Sequence, residues 1–107
     1  DMAYNNSTYE RGICWAATIE VKEVFDWNPF QDYEPDDLDN VLGIQGQLWS
    51  ETITDKDYFD QMINPRLSAL AEIAWCTKAK RSWAQFRSSL INNLEYLSKL
   101  GWKFHKF

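Results

Sequence analysis

One run in this chain reads as a β-strand: Val41-Leu42-Gly43-Ile44-Gln45-Gly46-Gln47-Leu48-Trp49. A strand satisfies its backbone N–H and C=O groups by pairing with a neighbour, and a strand with none leaves both edges open. Val41, Leu42, Ile44 and Leu48 suit a buried strand, and the two glycines within it suggest a bend or a close backbone approach. The rest of the chain reads as helix and loop, so the strand has no partner of its own. The sequence is therefore expected to belong to a larger sheet protein. An isolated chain is expected to pair this strand with a second copy, so that it self-associates, or to rearrange it.

The helical pattern is clearer. Residues 16–25 alternate Ile19, Val21, Val24 and Phe25 with Glu20, Lys22 and Glu23, which predicts a short helix ended by Asn28-Pro29. A second helix is expected over 57–63. Asn64-Pro65 interrupts it, and Pro65 suits the first position of a third, over 65–75. Leu67, Leu70, Ala71, Ala74 and Trp75 fall on one stripe of that helix and are expected to be buried. Ser82 followed by Gln85 forms a capping-box pattern for a last helix carrying Trp83, Phe86, Leu90, Leu94 and Leu97. Gly101 is its expected stop. Residues 30–40 are acidic and turn-like, a solvated loop whose spacing does not suit calcium.

Composition narrows the function. With 107 residues there is room for one small domain, and 45% apolar content is enough for a packed core. The net charge of −5 gives no basic footprint for nucleic acid and no attraction to an anionic membrane surface. No apolar run is long enough to span a bilayer. A neutral ligand such as a sugar is unaffected by these arguments. Aromatic residues make up 16%, including six Trp, which suits a core of large side chains or the wall of a ligand site. Cys14 and Cys76 lack metal-site spacing and read as buried free thiols; neither metal nor cofactor is expected. The chain opens on Asp1-Met2 with no signal pattern, as expected of one processed or cut from something longer.

The chemistry concentrates at the end of the strand-like run. Trp49 and Glu51 are two residues apart, so on a strand end they point to the same side. An indole face packs well on the C–H face of a pyranose, and a neighbouring carboxylate can accept hydrogen bonds from its hydroxyls. The plainer alternative is a core tryptophan beside a surface glutamate. His105, the single histidine, reads as a surface residue. Arg66 and Glu72 read as structural partners on the following helix, and Ser50 has no histidine nearby to activate it.

Several motifs in order carry a family resemblance. The run 41–52, ending Leu48-Trp49-Ser50-Glu51-Thr52, resembles the eighth strand of the family 20 glycoside hydrolases, the β-N-acetylhexosaminidases. Pro65-Arg66-Leu67 through Ala74-Trp75 resembles the helix that follows. Asp1-Met2-Ala3-Tyr4 resembles the end of the seventh strand, and Trp15-Ala16 and Asp26-Trp27-Asn28-Pro29 the segment after it.

The resemblance implies an α/β fold in which these residues form the C-terminal quarter of a (β/α)₈ barrel, mostly helical with one clear strand. A whole barrel takes roughly 250 residues. It implies that Trp49 walls the pocket for a terminal N-acetylhexosamine, that Glu51 holds the sugar's O4 and O6, and that Asp1 and Trp15 lie nearby. The partners implied are a glycan ending in N-acetylglucosamine or N-acetylgalactosamine, and the remainder of the barrel. The family's mechanism is substrate-assisted: the acetamido oxygen attacks the anomeric carbon while an Asp-Glu pair orients it and protonates the leaving group. No Asp-Glu dipeptide occurs in these 107 residues, so no catalytic residue is assigned here and the chain alone is expected to be inactive. The competing expectation is a free-standing helical module that binds carbohydrate or protein without catalysis.

Overall fold

The computed structural model of the chain describes residues 2–4, 12–14 and 17–107. Among the described residues four α-helices organise it: α1 (Val21–Asp26), α2 (Lys56–Ile63), α3 (Arg66–Trp75) and α4 (Trp83–Lys99). Short 3₁₀ turns at Pro35–Asn40 and Lys78–Lys80 lie between them.

Helix α1 starts later than its apolar pattern predicts. The Ile19 N–H donates to the Ala3 carbonyl at 3.0 Å, which commits the backbone before residue 20 to pairing rather than helix. The Glu20 N–H then finds the Glu23 carboxylate at 2.6 Å, and the helix begins at Val21. Asp55 caps α2 by accepting the Tyr58 N–H at 2.8 Å. Pro65 is the N-cap of α3, one position before the expected one, and its carbonyl accepts from Ser68 and Ala69. Helix α4 starts after Ser82, but the serine side chain makes no capping hydrogen bond, so the capping box does not form. Its end is as expected: Gly101 takes φ of +87°, the Gly101 N–H reaches Ser98 O and the Trp102 N–H reaches Leu97 O, both at 3.0 Å. That is the Schellman pattern, which satisfies the last carbonyls.

The core is built from α1, α3 and α4. Val21, Phe25, Ala69, Phe86, Leu90 and Leu94 are buried together, with Trp83, Leu97, Phe104 and Phe107 packed against them. Of the α4 pattern, Phe86, Leu90 and Leu94 are buried and Trp83 and Leu97 are half-buried. The rings of Phe25 and Phe86 stack at 5.0 Å, with Trp83 edge-on to Phe25 at 5.3 Å.

Two larger expectations fail as well. The strand over 41–49 is not there: residues 41–50 carry no regular secondary structure, and among the described residues the only β-bridge joins Met2 to Ile13 in parallel. The reason is the one that made the strand conspicuous, since without a neighbouring strand no ladder can form. The expected stripe of α3 is not buried either. Leu67 is 54% and Trp75 89% exposed, while Ala69 and Ile73 on the other side enter the core. Apolar residues lie nearly all round this helix, so periodicity alone does not choose the face.

Candidate functional site

The site region is built on the segment that precedes α2. Ser50 accepts the Ile53 N–H at 3.3 Å, closing a turn with Glu51 and Thr52 at its centre. The Thr52 and Tyr58 hydroxyls lie 2.6 Å apart and share a hydrogen bond. The Tyr58 ring is buried and its backbone is held by the Asp55 cap, so the turn is fastened to α2. Glu51 is exposed at the apex, and Trp49 is 65% exposed two residues earlier.

A cavity of about 600 Å³ opens beside Trp49. Its lining includes Leu48, Ile63, Leu67 and Leu70, together with Trp27 from the C-terminal end of α1. The lining is mostly aliphatic, with Glu23, Gln47 and Arg66 among its polar members. Such a surface suits apolar side chains better than a hydroxylated ligand, because each unpaired polar group buried there carries a desolvation cost. Gly46 lies close under this wall: a β-carbon placed on it would sit 2.5 Å from Leu70 Cδ2. The close approach that the glycines suggest is therefore found at Gly46 but not at Gly43, where an added β-carbon would meet open space.

The predicted site residues fall as follows. Trp49 lines the cavity. Glu51 is not part of that lining and sits on the fastened turn just beyond. Asp1 and Trp15 lie outside the described residues. Trp27 and Glu23 share the cavity with Trp49, and no local spacing links residues more than twenty positions apart.

A second cluster supports the N-terminal segment. Tyr4 is buried between the Arg66 guanidinium, 3.5 Å from its ring centroid, and the His105 imidazole, stacked at 3.7 Å and 8°. Its hydroxyl lies 2.7 Å from the Gln61 carbonyl and 3.0 Å from that of Asn64. His105 also donates its backbone N–H to Asn64 O at 2.9 Å. The histidine is thus a half-buried packing element, not the surface residue its place in the tail suggested. Arg66 is a structural partner, as expected.

Neither cysteine is buried: Cys14 is exposed and Cys76 half-exposed, both as free thiols. The Glu72 carboxylate, hydrogen-bonded to the Cys76 thiol, pushes its pKa up. Among the described residues no group of three or more His, Cys, Asp or Glu could hold a metal ion, and no helix is long and apolar enough to cross a membrane.

Comparison with known proteins gives this geometry its family. Residues 1–78 match the profile of "Glycosyl hydrolase family 20, catalytic domain". A β-N-acetylhexosaminidase of Cellulomonas fimi is 32% identical over 105 residues, covering 98% of this chain and 21% of that protein. A β-hexosaminidase of Porphyromonas gingivalis is 34% identical over 86 residues, covering 79% of this chain and 11% of its own length. In three dimensions the chain is similar to the family 20 exo-β-N-acetylglucosaminidase of Vibrio harveyi, solved with N-acetylglucosamine, at TM-score 0.89 and 32% identity over 99% of this chain and 17% of that one. The Streptomyces coelicolor family 20 β-N-acetylhexosaminidase gives TM-score 0.86 at 29% identity, over 100% of this chain and 22% of that one. The chain belongs to family 20 of the glycoside hydrolases, whose catalytic domains are (β/α)₈ barrels. It spans between about a tenth and a fifth of the length of these relatives.

Proposed function

We propose that these residues form the C-terminal part of a family 20 catalytic barrel that removes terminal N-acetylglucosamine or N-acetylgalactosamine from glycans. The observation that carries this reading is the pairing of Trp49 with Glu51. A largely exposed indole stands two residues before an exposed carboxylate, and that carboxylate rides on a turn fastened to α2. In the intact domain, Trp49 walls the sugar subsite and Glu51 accepts hydrogen bonds from O4 and O6. Asp1 and Trp15 complete the same subsite from the preceding segment.

The chain holds the sugar and does not cleave it. The acid and the group that orients the acetamide belong to an Asp-Glu pair, and no such dipeptide occurs in these residues. The acetamido oxygen of the substrate is the nucleophile, so this chain's task is to hold the pyranose still while its own substituent closes on the anomeric carbon.

The exposed apolar surface fits the same account. Helix α3 buries Ala69 and Ile73 on one side and presents Leu67 and Trp75 on the other. A helix that is apolar on both sides belongs in the interior of a larger protein. The aliphatic cavity beside residues 46–49 is where neighbouring barrel strands would pack.

The test is kinetic. In the intact catalytic domain, Glu51→Gln and Trp49→Ala should each lower kcat/KM on an aryl N-acetyl-β-glucosaminide while leaving the fold intact by circular dichroism. Wild-type turnover in both variants would overturn the assignment. Hydrolysis of the same substrate by the pure 107-residue chain would overturn the division of labour.

A further inference from the structure

Glu51 recognises a sugar only if its carboxylate is correctly placed, and the means of placing it is visible. The carboxylate is exposed, so its position depends on the turn that carries it. Within that turn, Thr52 is half-buried and its hydroxyl meets Tyr58 at 2.6 Å. The Tyr58 ring is 6% exposed, and its N–H is bound to Asp55 Oδ1 at 2.8 Å. A rigid, buried aromatic therefore grips the residue immediately after Glu51. The hydrogen bond spans six positions and ties the turn to the first turn of α2, in addition to the long 3.3 Å backbone bond from Ile53 to Ser50.

We infer that Tyr58 is a positioning residue for the sugar subsite: its hydroxyl, acting through Thr52, sets where the Glu51 carboxylate lies when it receives O4 and O6. This rests on the reading of Glu51 given above. Loss of the hydroxyl lets the turn relax, and a carboxylate displaced by a fraction of an ångström loses the alignment of its hydrogen bonds. Tyr58→Phe keeps the buried ring and removes the hydroxyl that meets Thr52.

The experiment uses the intact catalytic domain with two substrates, an aryl N-acetyl-β-glucosaminide and its 4,6-dideoxy analogue. The variants are Tyr58→Phe, Thr52→Val, Thr52→Ser and Glu51→Gln. Tyr58→Phe and Thr52→Val are expected to lower kcat/KM about three- to tenfold on the full substrate, the worth of one net hydrogen bond. The loss should vanish on the dideoxy analogue and in the Glu51→Gln background. Thr52→Ser, which keeps the hydroxyl, should retain wild-type rates. An equal loss on both substrates would show a merely structural role and overturn the inference, as would no loss at all on the full substrate. If Glu51→Gln still discriminates the two substrates as strongly as wild type, the Glu51 reading itself fails and takes this one with it. If Glu51→Gln loses that discrimination while Tyr58→Phe is silent, only the positioning role falls.

Discussion

Replacing Asp60 by alanine should release the C-terminal segment from the body of the protein. Asp60 is 1% exposed on α2, and its Oδ2 accepts the Lys103 N–H at 3.1 Å while pairing with the Lys56 ammonium. The two interactions differ in worth. The Lys56 side chain is 66% exposed, so water screens the ion pair, which should contribute less than about 1 kcal/mol. A hydrogen bond from a backbone N–H to a buried carboxylate is worth about 1.5–3 kcal/mol. Asp60→Ala should therefore cost about 2–3 kcal/mol locally, and Asp60→Asn, which keeps an oxygen for Lys103, about 1 kcal/mol. Lys56→Ala loses the screened pair and the ammonium held over the Trp102 ring at 4.9 Å, again about 1 kcal/mol. The segment at stake carries Phe104 and Phe107 into the core and stacks His105 on Tyr4. Hydrogen exchange followed by mass spectrometry on the intact domain reads the effect directly. A 2 kcal/mol loss accelerates exchange of the Lys103 amide about 30-fold. If Lys56→Ala speeds exchange as much as Asp60→Ala, the ion pair and not the backbone bond holds the tail. If neither does, Asp60 does not anchor the tail.

Further outcomes follow from the same geometry. Gly101→Ala places a β-carbon at a φ of +87° and should cost about 1 kcal/mol, seen as a lower midpoint in urea unfolding of the intact domain. The Glu72 carboxylate stabilises the protonated Cys76 thiol, so Glu72→Gln should lower that pKa and speed alkylation of Cys76 at pH 8; an unchanged rate would remove Glu72 as the cause. The chain expressed alone exposes Leu67 and Trp75, and sedimentation should find it above its monomer mass of 12.7 kDa, whereas a clean monomer would count against an interior role for that face of α3.

Much of the fold is legible in the residues because its signals are local. The apolar spacing of α4, its glycine stop and the break at Asn64-Pro65 depend on neighbours a few positions apart, and the structure follows them. What failed depends on groups far away or absent. A strand exists only by virtue of its partner, so Val41 through Trp49 could show strand composition and still form none. The buried face of α3 was misjudged because apolar residues surround it, and packing against residues of α1 and α4 buries Ala69, while Ile73 is buried on the same side. His105 looked like a solvent-facing tail residue because nothing in its own neighbourhood records Tyr4, a hundred positions earlier. At the site, Trp49 and Glu51 stood out because they adjoin. Tyr58 did not, because its role passes through the side chain of Thr52.

In the proposed function, Trp49 and Glu51 hold the terminal sugar. A crystal structure of the intact catalytic domain with N-acetylglucosamine tests it most directly. In that complex the Trp49 indole should lie in van der Waals contact with the pyranose face and the Glu51 carboxylate within about 2.6–3.2 Å of O4 and O6. A sugar seated with its O4 and O6 on other residues, and with Glu51 still turned to solvent, would contradict it.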